Sequence, residues 1–265
     1  MRVVILLALL GSALAVPKSV NRIVGGSPTT IDRYPYMANM QFGARSMIWW
    51  FHSCGGSLLT TTSVLSAAHC YHGNVPAQWR VILGTSYRWT GGTIHPVSQF
   101  VLHAGYVPAT LDNDIAIVRL SVPAVYSDVI KPARIPGTNY QLADGTSLTK
   151  LGWGALSFED DLYPDELQHV NVYSINQELC AERYAYLKTQ PGFEHWFDVT
   201  DNMLCSGILD VGGKESCSGD SGGPLAHHND IVVGIVSWGY LCAHPFYPGV
   251  NVRVSRYTDW IVANA

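Results

Sequence analysis

The sequence predicts an all-β protein. Short apolar or alternating runs recur along the chain: Met37 to Phe42, Val81 to Leu83, Ile115 to Leu120, Val170 to Tyr173, Ile231 to Trp238 and Val250 to Val254. Gly, Pro, Asn and Asp separate them, and many short runs bounded by turn residues indicate a sandwich or barrel. Within these runs, Ile115-Ala116-Ile117-Val118 is rich in β-branched residues, which suits a buried strand. The second observation is an even set of six cysteines, Cys54, Cys70, Cys180, Cys205, Cys217 and Cys242. No two have Cys-x-x-Cys spacing, so they read as disulfides rather than a zinc site, although spacing does not choose the pairing.

Two stretches read as helix. One begins near Asn176 and carries Leu179, Cys180 and Tyr184. The other runs from Ser255, a candidate cap, to Asn264, with Tyr257, Trp260 and Ile261 on one face. The span from Cys180 to Cys205 also holds Tyr186, Phe193, Trp196 and Phe197. Such an aromatic loop either reaches substrate or packs against its own base. The chain has no internal repeat, low-complexity tract or long linker, and no Asn-x-Ser/Thr sequon.

Charge and the N-terminus bound the function. Arg2, the apolar run Val3 to Leu10, then Ala13-Leu14-Ala15 follow the order of a secretory signal peptide, expected over residues 1–15. The run is too short to span a bilayer, and no other stretch is apolar for long enough, so no membrane anchor is expected. Removing residues 1–22 takes Arg2, Lys18 and Arg22 and no acid, leaving 13 basic against 20 acidic side chains, a net of −7. That charge, with no Lys/Arg run, argues against nucleic acid as a partner.

The most informative stretch is Ser218-Gly219-Asp220-Ser221-Gly222-Gly223-Pro224. A serine hydroxyl is a weak nucleophile until a base is placed beside it. Upstream stand Ser66-Ala67-Ala68-His69-Cys70 and Asp112-Asn113-Asp114-Ile115. A histidine can serve as base and then acid near neutrality, and an acid on its other nitrogen orients it. The order His, Asp, Ser is one in which such triads occur, with Asp112 or Asp114 as the acid. Gly219 would let its own N–H and that of Ser221 converge on one point, an oxyanion hole.

On these motifs, residues 23 to 265 resemble the chymotrypsin family of serine proteases, trypsin branch. The resemblance implies two six-stranded antiparallel β-barrels with the active site in the cleft between them, plus a C-terminal α-helix. It selects Asp114, the residue before Ile115-Ala116-Ile117, and implies the pairs Cys54–Cys70, Cys180–Cys205 and Cys217–Cys242. Each such loop contributes roughly 2–4 kcal/mol by the loop-entropy account.

The stretch Arg22-Ile23-Val24-Gly25-Gly26 matches the family's activation site, making residues 16–22 an activation peptide and residues 23–265 the protease domain. Cleavage after Arg22 would free the Ile23 amine to pair with Asp220. Glu215 stands where trypsins carry Asp at the foot of the primary pocket; it keeps the charge and adds a methylene. The implied walls are Ser216, Ser237, Trp238, Gly239 and Gly249, with Leu241 narrowing the mouth. A carboxylate there implies cleavage after Arg and Lys. Calcium is not expected, since residues 73–111, which hold the family's calcium loop, contain no Asp or Glu. No cofactor is expected.

Two other classes compete. Gly219 to Gly223 also satisfies the G-x-S-x-G elbow of α/β-hydrolases, but Gly222-Gly223-Pro224 is a poor helix start and the triad order differs. A binding protein on the same fold would keep the architecture and lose chemistry, yet no triad residue is missing. The segment Ile23 to Asp32 is similar to digestive trypsins of moths and butterflies, which implies a secreted monomer in the gut lumen. Its expected partners are protein or peptide substrates, with proteinaceous protease inhibitors as candidates.

Overall fold

The computed structural model describes residues 24–43, 48–159 and 162–265. The segments expected to be the signal peptide (1–15) and the activation peptide (16–22), together with Ile23, lie outside the described residues. Strand β1 (Ser27–Pro28) leads into β2 (Met37–Gly43), β3 (Trp50–Thr60), β4 (Ser63–Ser66), β5 (Trp79–Leu83), β6 (Thr93–Leu102) and β7 (Ala116–Leu120). The strands from β2 to β7 close a six-stranded antiparallel barrel in the order β2-β3-β4-β7-β6-β5.

A second barrel follows from β8 (Ser147–Gly152), β9 (Gln168–Ser174), β10 (Met203–Gly207), β11 (Pro224–His227), β12 (Ile231–Trp238) and β13 (Gly249–Arg253). Its order is β9-β10-β13-β12-β11-β8, closed by β8 on β9, with β1 added outside β9. The predicted all-β architecture of two barrels is therefore what the chain adopts.

Local sequence explains the strand faces. In β9, Val170 and Val172 are buried while Asn171 and Tyr173 face outward, the alternation of a half-buried strand. β7 is buried on both faces, as its unbroken apolar run suggests. The predicted helices are present as α1 (Gln177–Lys188) and α2 (Thr258–Asn264). Asn176 caps α1 by accepting the Leu179 N–H at 3.0 Å. The start of α2 differs from expectation. Val254–Arg256 form a 3-10 turn, so Tyr257 rather than Ser255 stands at the cap, and it makes no side-chain capping bond.

One apolar cluster joins the barrels. It holds Met40, Leu58 and Ile117 of the first with Leu151, Ile235 and Val252 of the second, and Tyr257 and Ile261 pack on it. The Trp153 Nε1–H also donates to the Ser86 carbonyl at 3.1 Å, across the same junction. Leu151 is fully buried. Leu151→Ala is expected to cost about 2–5 kcal/mol of stability, read as a lowered thermal midpoint, because the rigid junction cannot collapse on the void.

Candidate active site

Strand pairing brings the first two chemical groups together. β4 and β7 are antiparallel with Ser66 opposite Ala116. His69 lies on the 3-10 turn Ala68–Cys70 just after β4, and Asp114 lies just before β7. The His69 Nδ1 is 2.6 Å from Asp114 Oδ2, and the His69 backbone N–H donates to Oδ1 at 2.7 Å. Asp114 is buried, and the Ser237 hydroxyl donates to its Oδ2 at 2.5 Å. Asp112 has other partners: Thr200 Oγ1 and Asn202 Nδ2 donate to it.

Ser221 reaches the same place from the second barrel. The Gly55 N–H of β3 donates to the Ser221 carbonyl at 2.8 Å. Cys54, the residue before Gly55, is bonded to Cys70, the residue after His69. The Cys70 Sγ lies 3.9 Å from both His69 Nε2 and the Ser221 carbonyl oxygen. The other two disulfides are Cys180–Cys205 and Cys217–Cys242. Among the described residues the Ser221 hydroxyl makes no hydrogen bond; such contacts are often loose before substrate arrives.

The loop before Ser221 is pinned from inside. Gly219 has φ +94°, a conformation costly for other residues, and a Cβ there would press on Gly154 Cα at 3.3 Å. Among the described residues neither the Gly219 nor the Ser221 N–H has an acceptor. The Gly219 carbonyl accepts from His52 Nε2 at 2.8 Å. A carbonyl can only accept, so Nε2 carries the proton. The other ring nitrogen, Nδ1, lies 2.8 Å from Asn39 Oδ1, and burial, helped by Arg88, pushes the His52 pKa down to about 3.

Asp220 is buried and accepts from the Gly154 N–H at 2.8 Å and the Cys217 N–H at 2.9 Å. Nearby, the Glu215 N–H donates to the Val24 carbonyl at 3.2 Å, which places the residue after Ile23 at the same buried region. Burial is the leading influence on Asp220 and raises its pKa from 3.8 to about 7, against the two N–H bonds and the Lys150 charge, which lower it.

The pocket residues expected from sequence converge. Glu215, Ser216, Ser237, Trp238, Gly239 and Gly249 line one cavity of about 190 Å³ that opens beside Ser221. Phe158 and Leu241, both exposed in part, complete it. A Cβ at Gly249 would meet the Glu215 carboxylate at 2.8 Å, so the longer acid fits only because 249 is glycine. The aromatic loop packs behind this wall: Phe197 contacts Trp238 with ring centroids 5.4 Å apart, and Phe193 contacts Tyr240 at 5.3 Å.

Three features were not foreseen. One is His52 under the Gly219 carbonyl, and another is Ser237 as a donor to Asp114. The third is Lys150 of β8, a fully buried side chain whose ammonium pairs with Glu215 Oε1 and donates to Ser216 Oγ at 3.1 Å. Its signal in the sequence was a lone lysine between Leu148-Thr149 and Leu151 in an otherwise uncharged strand.

Asp220 gives a pH prediction. Its folded pKa stands above the ordinary value, so its favourable contribution is complete below 3.8 and is lost as pH rises through about 7. The full chain should lose thermal stability over that window. Asp220→Asn, which does not ionise, should remove the slope.

The comparisons with known proteins agree with one another. The trypsin family model matches residues 23–261. The chain is 45% identical over 267 residues to trypsin, alkaline C, of Manduca sexta, covering 100% of both. It is 43% identical over 256 residues to trypsin CFT-1 of Choristoneura fumiferana, covering 97% of this chain and 96% of the relative. It is 36% identical over 259 residues to the vitellin-degrading protease of Bombyx mori, covering 98% and 91%.

Proposed function

The chain belongs to the trypsin family and is a trypsin-like serine endopeptidase, and from that premise we propose that Ser221, His69 and Asp114 carry its chemistry in a secreted digestive enzyme made as a precursor. The supporting observation is the His69–Asp114 contact at 2.6 Å with Ser221 held beside the same disulfide. In this reading the Ser221 Oγ attacks the scissile carbonyl while His69 Nε2 takes its proton. Asp114 fixes the ring through Nδ1 and stabilises the imidazolium. Ser237 donates to the same carboxylate and keeps it in place. The N–H groups of Gly219 and Ser221, which have no acceptor among the described residues, receive the oxyanion. His69 then gives the proton to the leaving amine, and water repeats the sequence on the acyl-enzyme.

Secretion is supported by the N-terminal pattern of residues 1–15, and among the described residues no helix is long and apolar enough to cross a membrane. Activation by cleavage after Arg22 is supported by the position of Val24 against Glu215 and by the buried carboxylate of Asp220. The freed Ile23 amine would neutralise that carboxylate and hold the Cys217–Gly222 loop in its working shape. A monomer acting on dietary protein, with protein inhibitors as further partners, fits the same reading. The side chain accepted before the scissile bond depends on Glu215, which by itself would select Arg or Lys, and on the charge that Glu215 already meets.

Ser221→Ala should reduce peptide turnover by about 10⁴-fold or more while the chain still folds and binds peptide. Retained turnover would remove Ser221 from the mechanism. A second expectation concerns alkaline pH. A free α-amine titrates at roughly 7.7–8.0, and pairing with Asp220 raises that value. The ion pair is complete below the free value and lost as pH climbs through the bound one. The alkaline limb of activity should track this loss, and acetylating the new N-terminus should abolish activity at all pH values.

A further inference from the structure

We propose that the primary pocket takes large uncharged side chains in preference to Arg and Lys, because Lys150 already occupies the carboxylate that a substrate cation would need. The inference rests on the endopeptidase reading above and adds its substrate class.

The floor of the pocket carries two charges, not one. Glu215 is buried, and its Oε1 accepts from the Lys150 ammonium, from the Ser216 N–H at 2.9 Å and from Ser216 Oγ at 3.1 Å. Lys150 does not line the cavity; it meets the carboxylate from the buried side, with its own side chain 1% exposed. A buried acid that already meets an ammonium attracts a substrate cation less than an unpaired one does. Here the floor sums to zero, so the attraction is weakened while the cost of stripping water from the incoming cation remains. Displacing Lys150 offers no escape. Its ammonium would be left in the interior with Ser216 Oγ as its remaining hydrogen-bond partner.

What remains suits an uncharged chain. Gly239 and Gly249 face the slot without side chains, Val236 and Trp238 give it apolar walls, and Leu241 and Phe158 stand at its mouth. A cavity of about 190 Å³ has room for an aromatic or long aliphatic side chain. The uncharged side chains of that size are tyrosine, phenylalanine, leucine and methionine. The second carboxylate oxygen, Glu215 Oε2, is buried and has no hydrogen-bond partner among the described residues. In this account Glu215 anchors Lys150 and shapes the floor; it does not read substrate charge.

The test uses the full chain after cleavage at Arg22. Peptides that differ only in the residue before the scissile bond are ranked by kcat/KM. Tyr, Phe, Leu or Met should lead Arg and Lys by about tenfold or more. Arg or Lys in first place overturns the proposal. Lys150→Met removes the charge at similar volume and frees Glu215. It should raise the Arg-to-Tyr ratio by about tenfold or more, and an unchanged ratio overturns the proposal. Should that variant not fold, benzamidine, a small planar cation, is tested on the wild-type enzyme. It should fail to protect Ser221 from a phosphonylating reagent, and protection overturns the proposal. A chain that takes no phosphonate and cleaves no peptide overturns the endopeptidase reading and this one with it. A phosphonylated chain that prefers Arg or Lys overturns this one alone.

Discussion

The buried carboxylate of Asp220 is the constraint on which the site depends. It binds the N–H groups of Gly154 and Cys217, and its own carbonyl accepts the Gly223 N–H at 2.9 Å. These bonds fold residues 217–223 into a tight loop. Among the described residues they leave the Gly219 and Ser221 N–H groups without acceptors, and such groups are available to a substrate oxyanion. Among the described residues no cation forms an ion pair with Asp220. A buried acid in that position is costly when ionised. An α-amine delivered from the segment before Val24 would relieve that cost, which is the physical route by which the proposed precursor cleavage would reach the 217–223 loop.

The two barrels divide the work. The first fixes His69 and Asp114 through one antiparallel pairing, Ser66 opposite Ala116. The second presents Ser221 and the pocket, whose walls come from β12, the start of β13 and the loop before β11. The halves meet through short links: the Gly55–Ser221 hydrogen bond, the Cys54–Cys70 bridge and the shared apolar cluster around Leu151. A small relative shift of the barrels would therefore separate His69 from Ser221, so in the proposed mechanism the stiffness of this junction serves catalysis as well as stability.

Much of this was legible in the sequence. Alternation in Val170 to Tyr173 and the unbroken run after Ile115 marked strands correctly, since both patterns record local burial. The SGDSGG stretch and the histidine and aspartate contexts named, through short motifs, the residues proposed for the site. Partnerships over long sequence separations were not legible. Nothing near Lys150 announces Glu215, 65 residues away, and nothing near His52 announces Gly219, 167 residues away. The start of α2 was misread for a related reason. A serine in a capping context looks local, but the turn at Val254–Arg256 follows from packing of Val254 and Tyr257 into the core.

Burst titration with an active ester, run on the chain before and after cleavage at Arg22, tests the central claim most directly. The account predicts a full equivalent of ester trapped on Ser221 per cleaved chain, and essentially none on the uncleaved chain or on one with His69 replaced by alanine. A full burst before cleavage, or acyl transfer to a residue other than Ser221, would contradict it.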